Sequence, residues 1–370
     1  MAGTSTEAGL RLQNRVLSGN SILLPSKLTR SFGGASETMP NLDDSCKSTM
    51  TAKFLRATAA HLLSRLQQGS SHPPIELVYI PHKRWPLPHP RVSNPPSKRP
   101  IRISILDSSF NPPTLAHLAL ANSPRPNRTA DDDSDYDAKL LLLSVKNADK
   151  TLKPGDATYL QRLEMMALLA KDVVTHNSSI SSQAEDDKMT PEELANVAIA
   201  ITDEPTFVGK SKNLLDFLMQ RYPSLAPSPH PDTQLTFLLG LDTLQRLFSP
   251  KYYPSEKAMI DVMNTFLSPE GDNSRVVCAR RVSLQPSTPP KGGEPVAPED
   301  ALALAHDFIT SERIFVINIG NNESKYSSSA VRNSIARLGF GASGREGDVW
   351  KQYVPQGVSD YITQEGLYVD

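Results

Sequence analysis

From Ile101 onward, short apolar runs alternate with stretches whose apolar residues recur three and four positions apart. The runs at 101–106, 139–145, 196–201, 234–239, 274–279 and 313–317 predict strands, and the periodic stretches predict helices over 114–121, 156–173, 211–221, 256–267 and 328–338. Lys139-Leu-Leu-Leu-Leu-Ser144 and Leu235-Thr-Phe-Leu-Leu239 are apolar at consecutive positions, as strands covered on both faces must be. Strands alternating with helices predict an α/β fold with a doubly wound parallel sheet. Before it, Met50 to Gln67 has helical spacing and Ile75 to Ile80 reads as a strand.

Polar or proline-rich insertions near 123–137, 176–194, 222–233 and 284–299 interrupt this alternation. Without them, residues 101–370 reduce to about 200, the size of one open α/β domain. Between Pro81 and Pro100, seven of twenty residues are proline, which rules out a regular helix or central strand. With Lys83, Arg84, Arg91, Lys98 and Arg99 and no acid, the stretch reads as a basic strap lying solvated on its own domain. The division is thus a tail over 1–48, a helix, strand and strap over 49–100, and the main domain over 101–370. The tail is Ser/Thr/Gly-rich and patternless, which predicts disorder. Its Arg11, Arg15, Lys27 and Arg30 faintly resemble an organelle-targeting peptide and permit mitochondrial import, whereas a start at Met39 would give a cytoplasmic or nuclear form.

Composition narrows the function classes. The 370 residues carry 39 Lys and Arg against 40 Asp and Glu, which argues against nucleic-acid binding through a broadly basic surface. A mean hydropathy of -0.35 and the lack of any apolar run near twenty residues argue against a membrane span. Two cysteines cannot supply a disulfide framework or a four-cysteine zinc site. Two phosphate-loop lookalikes fail. Gly339-Phe-Gly341-Ala-Ser-Gly344 follows a helical stretch and reads as a helix stop, and Gly209-Lys210-Ser211 lacks the glycine five residues earlier, where Glu204 stands.

The chemistry concentrates after the first main-domain strand. Asp107-Ser-Ser-Phe-Asn-Pro-Pro113 leads into Thr114-Leu-Ala-His117, so Thr114 can cap the helix and His117 falls on its first turn. Free N–H groups and the positive end of the helix dipole favour an anion there, and the turn opens at the carboxyl ends of the strands. Near the other end, Tyr326-Ser327-Ser328-Ser329-Ala-Val-Arg332 places serines at a helix start with an arginine one turn on, a second anion cradle. Two such cradles suit a triphosphate.

Ser108-Ser-Phe-Asn-Pro-Pro-Thr-Leu-Ala-His117 resembles the G-x-F-x-P-x-[HT]-x-G-H signature of the HxGH nucleotidylyltransferases, which have a Rossmann-like fold, and its Phe-Asn-Pro-x-Thr-x-x-His form is similar to eukaryotic nicotinamide mononucleotide adenylyltransferases. Tyr326 to Arg332 resembles the family's I-S-S-T-x-x-R, Gly240-Leu-Asp242 its G-x-D, and Tyr353 to Tyr368 its closing helix. The resemblance implies adenylyl transfer from ATP to nicotinamide mononucleotide, giving NAD and pyrophosphate, with magnesium carried on the ATP phosphates and no protein metal site. His117 and Arg332 would be catalytic. Ser108, Ser109, Phe110, Thr114, Gly240, Asp242, Ser327 and Ser328 would join them at ATP, and Lys150, Tyr253 and Arg281 would meet the acceptor. Lys146 competes with Lys150 for the phosphate. Asp242 could instead cap the next helix, and Tyr253 could simply pack. Ser108 and Ala116 stand where the signature has glycines, so backbone approach to the nucleotide is altered. Three alternatives stand beside this reading: a sister transferase using CTP or another acceptor, a nucleotide-binding regulator or ATP hydrolase, and a nucleic-acid-associated protein using the basic strap.

Overall fold

The computed structural model describes residues 44–89, 99–129, 132, 134–146, 152–174, 191–225, 231–280, 303–320, 326–339 and 348–369. The expectations for residues 1–43, for 90–98 of the strap, for most of the second and fourth insertions, and for Lys150 and Arg281 lie outside these residues.

Seven strands form one sheet: β1 (Ile75–Tyr79), β2 (Ile101–Asp107), β3 (Ala138–Ser144), β4 (Val197–Thr202), β5 (Thr233–Gly240), β6 (Arg275–Arg280) and β7 (Ile314–Asn318). Their order is β1-β4-β3-β2-β5-β6-β7, with β2 to β7 parallel and β1 antiparallel to β4. The six parallel strands therefore follow the two-halved order of a Rossmann-like fold, with the direction of winding reversing beside β2. A crevice at the carboxyl ends of β2 and β5 follows from that reversal. The helices are α1 (Asp44–Gln67), α2 (Leu115–Ala121), α3 (Tyr159–Lys171), α4 (Pro191–Ala195), α5 (Phe207–Arg221), α6 (Leu241–Leu247), α7 (Glu256–Leu267), α8 (His306–Thr310), α9 (Ser328–Leu338) and α10 (Gln356–Glu365). No helix among the described residues is long and apolar enough to cross a membrane.

Alternate residues of each strand feed opposite layers. Ile103, Ile105, Leu140, Leu142 and Phe237 pack with Leu214 and Leu218 of α5 and with Met259 and Met263 of α7. Leu106, Leu141, Leu143 and Ile199 pack with Leu63 and Leu66 of α1 and with Leu163 and Met166 of α3. A third cluster joins Val331 and Ile335 of α9 to Trp350 and to Val358 and Ile362 of α10, which fastens the chain's end beside α3. Gly339, at φ 64, ends α9, as the stop reading expects.

Two features lie in the region upstream of the main-domain boundary at 101. β1 pairs with β4 in the same sheet as the rest. The first half of the strap is also built into the fold rather than lying solvated: Trp85 and Leu87 are 1% and 0% exposed and belong to the α5 layer. Asn196 Nδ2 donates to the carbonyls of Pro86 (3.0 Å) and Leu87 (3.3 Å), and Arg221 Nε donates to that of Trp85 (2.7 Å). Prolines that remove backbone donors leave these carbonyls to be met by side chains.

His82 gives this segment a pH dependence. Burial, reinforced by His89 edge-on at 5.1 Å, lowers its pKa from 6.5 to about 4. The unfolded chain then binds more protons than the folded one between those values, so the contribution is whole above about pH 6.5 and declines as pH falls toward 4. Urea unfolding at intervals from pH 4 to 7 is expected to show a smaller acid-side loss of stability in His82→Gln than in the wild type. Parallel profiles would remove His82 as the cause.

Candidate active site

The crevice holds a cavity of about 860 Å³. The carboxyl end of β2 supplies Asp107, Ser108 and Ser109, α2 supplies His117, β5 and α6 supply Gly240 and Asp242, and the start of α9 supplies Ser327, Ser328 and Arg332. Two segments more than two hundred residues apart thus share one recess, as the two-cradle reading expects.

His117 is oriented by its own helix start. Thr114 is the N-cap of α2, and its backbone N–H lies 3.0 Å from His117 Nδ1. A backbone N–H can only donate, so Nδ1 accepts and the neutral ring carries its proton on Nε2. Nε2 sits 2.9 Å from Ser108 Oγ and donates to it. The ring leans on Phe110, with centroids 5.5 Å apart. Phe110 and Thr114, both expected at the nucleotide, are each 0% exposed and do not line the cavity. Phe110 has a φ of 45, a costly conformation for a bulky residue, and it turns the ring inward to support His117. Thr114 serves as the cap.

The second cradle is bonded to the first. Ser327 caps α9, accepting from the Ala330 N–H at 3.1 Å, and Ser328 Oγ donates to the Pro112 carbonyl at 2.7 Å. Arg332 Nη1 donates to the Asn111 carbonyl at 2.5 Å, and Thr114 Oγ1 reaches the Tyr326 carbonyl at 3.4 Å. Asp156, which the sequence reading missed, holds the centre. It accepts from Asn111 Nδ2 at 2.7 Å and lies 3.6 Å from Arg332 Nε and 3.8 Å from Arg162 Nη2. Burial alone would raise its pKa. The Lys153 N–H, the Asn111 amide and the two arginines outweigh that and hold the carboxyl below its ordinary value.

Other expected residues divide. Gly240 is the N-cap of α6, so Asp242 lies within its first turn rather than capping it, and lines the cavity. Tyr253 borders the cavity, but its hydroxyl donates to the Leu247 carbonyl at 2.9 Å and its ring packs on the core, while Tyr252 beside it is 42% exposed. Lys146 is held by Asp203 at 2.8 Å. Burial pushes the Cys278 thiol up to about 12, which removes it as a thiolate nucleophile near neutral pH. Among the described lining residues, six cations (Lys146, Lys153, Arg162, Lys210, Arg246, Arg332) face three carboxylates (Asp107, Asp156, Asp242). A recess with excess positive charge in a protein of net charge -1 concentrates anions locally.

No protein-family model matches the chain. Over 180 residues it is 32% identical to a Schizosaccharomyces pombe protein named "Putative nicotinamide mononucleotide adenylyltransferase", a match that takes in 48% of this chain and 53% of that protein. The chain therefore spans about half the length of the curated relative it matches. Among solved structures it is similar to Plasmodium falciparum nicotinic acid mononucleotide adenylyltransferase complexed with APC, at a TM-score of 0.40 and 15% identity, covering 72% of this chain and 96% of that one.

Proposed function

We propose that this chain is a nucleotidyltransferase of the nicotinamide mononucleotide adenylyltransferase family and that it moves the adenylyl group of ATP onto the 5′-phosphate of nicotinamide mononucleotide, releasing NAD and pyrophosphate. The observation that carries the reading is the joining of the two phosphate cradles in one cationic cavity, with the Nε2 proton of His117 directed into it.

In this reading an acceptor phosphate oxygen forms the new bond to the α-phosphorus, and the bond from that phosphorus to the β-bridging oxygen breaks, its electron pair leaving with pyrophosphate. The acceptor phosphate is ionised near neutral pH, so no side chain needs to take a proton. Catalysis then comes from alignment and charge. Holding two nucleotides in line is worth roughly 7 to 11 kcal/mol. His117 exchanges its Ser108 partner for an α-phosphate oxygen, while Arg332 and the N–H groups opening α9 hold the β- and γ-phosphates. Asp242, in the Gly240-Leu-Asp242 that resembles the family's G-x-D, would hold the ribose of ATP, and the exposed ring of Tyr252 would offer a stacking face to the acceptor base. Among the described residues no three His, Cys, Asp or Glu side chains converge. Asp107 and Asp156 are engaged with Lys210 and with Asn111. Magnesium would arrive on the triphosphate and neutralise it there, a role that asks for few protein ligands.

Product analysis after incubating the protein with ATP, magnesium and nicotinamide mononucleotide is expected to give NAD and pyrophosphate only when the acceptor is present. Parallel incubations with CTP and with nicotinate mononucleotide separate the sister reactions. ADP and free phosphate appearing without an acceptor would replace this reading with hydrolysis.

A further inference from the structure

One ion pair on the cavity wall has no part in the chemistry above. Asp107 ends β2, immediately before Ser108, and its carboxylate is paired with Nζ of Lys210 on α5. The two side chains are 7% and 5% exposed, yet both residues line the cavity. Lys210 Nζ also lies 5.0 Å over the Phe207 ring, so an aromatic face flanks the cation on a second side. Thr206 caps α5 and accepts from the Gly209 N–H at 3.1 Å, which sets the helix start and carries Lys210 over the end of β2.

The placement of Asp107 is costly for an anion site. Its chain neighbour Ser108 accepts a hydrogen bond from the His117 Nε2 proton, and Asp107, Ser108 and His117 all line the one cavity, so a formal negative charge stands on the wall that is to meet a phosphate. Like charges sharing one recess repel, and the more so where protein takes the place of water. Lys210 is the group that cancels that charge. We infer that Lys210 is a positioning residue whose charge masks Asp107 and thereby sets the affinity of the His117 cradle for phosphate. This inference rests on the reading that the cavity takes a nucleotide by its phosphates.

The alternative is that the pair only fastens α5 to β2, and the two accounts differ in sign. Masking predicts that Asp107→Asn, which leaves an uncompensated cation, tightens phosphate binding, that Lys210→Met, which leaves an uncompensated carboxylate, weakens it, and that the double variant returns near the wild type. A fastening role predicts that both single variants weaken binding.

The test is calorimetric titration of the full chain and its variants with magnesium ATP, tripolyphosphate and adenosine, with circular dichroism to establish folding. Asp107→Asn is expected to bind ATP and tripolyphosphate at least about tenfold more tightly and Lys210→Met about tenfold more weakly, both differences shrinking in 0.5 M salt, with adenosine affinity unmoved. Should Lys210→Met fail to fold, Asp107→Asn and the neutral double variant still decide the matter. Weaker or unchanged ATP binding in Asp107→Asn would overturn the masking role while leaving the nucleotide reading intact. A wild-type chain that binds neither ATP nor tripolyphosphate would overturn the nucleotide reading, and the masking role with it.

Discussion

Under the proposed adenylyl transfer, replacing His117 by alanine is expected to lower turnover of ATP and nicotinamide mononucleotide by two to three orders of magnitude. One well-aimed donor to a developing oxyanion is worth roughly 3 to 4 kcal/mol. The aim here is fixed on two sides. The Thr114 N–H assigns the ring its tautomer at Nδ1, and Phe110 braces the ring against rotation. An isolated exposed histidine would have neither restraint. The ring is only half-buried, and losing its bond to the N-cap should cost about 1 kcal/mol of stability, so the variant remains folded. Because the proposed mechanism leaves Ser108, Arg332 and the opening of α9 to hold the triphosphate, kcat should fall far more than KM for ATP rises. Steady-state kinetics on the purified variant checks this, and a wild-type turnover would remove His117 from the mechanism.

The largest stability effect is expected far from the cavity, at Trp85. Trp85→Ala should destabilise the protein by about 3 to 5 kcal/mol, because deleting a fully buried indole loses its transfer energy and leaves a void. Trp85→Phe should cost well under half of that. The indole nitrogen is buried without a hydrogen-bond partner among the described residues, so removing it abolishes an unmet donor and offsets part of the lost volume. Urea unfolding of both variants measures the difference. Similar losses in the two would mean that the ring's nitrogen is satisfied by a buried water. Turnover of the folded fraction should stay unchanged in both, since none of the strap's described residues lines the cavity.

The frame of the molecule was legible in the sequence because it obeys local rules. The six apolar runs predicted from Ile101 onward match β2 to β7 to within a residue or two, and the two-faced runs became β3 and β5 at the sheet's centre. The two helix starts that meet in the cavity were legible for the same reason, since a cap followed by a donor one turn later is a short-range pattern. What escaped depends on direction or distance. Motif position could not show that Phe110 turns inward, because that follows from one backbone angle. Nor could it choose between Tyr252 and Tyr253, whose different fates come from a single bond to Leu247. Asp156 was invisible because the two partners that tie it to the cradles, Asn111 and Arg332, lie 45 and 176 residues away in the chain. Lys210 was set aside with a failed phosphate-loop pattern. The helix was predicted to begin at 211 but begins at Phe207, and those four residues carry the lysine into the cavity. Trp85 and Leu87 were hidden by the prolines around them, which signal the lack of a regular element but not the lack of burial.

The antiparallel strand β1 bears on how the protein survives at cellular concentrations. Without it the sheet would end at β4, whose Val-Ala-Ile-Ala-Ile-Thr sequence is wholly buried. An uncovered strand of that kind is uncharged, β-branched and free of proline, and would invite a second chain to add to it. β1 occupies that edge and replaces it with a poorer template. It is five residues long, breaks register between Leu77 and Tyr79, and carries Glu76 bonded to Ser71 and paired with Arg65. β1 thus covers an edge that would otherwise template self-association, and a chain shortened to begin at Ile101 would leave β4 unpaired on that side.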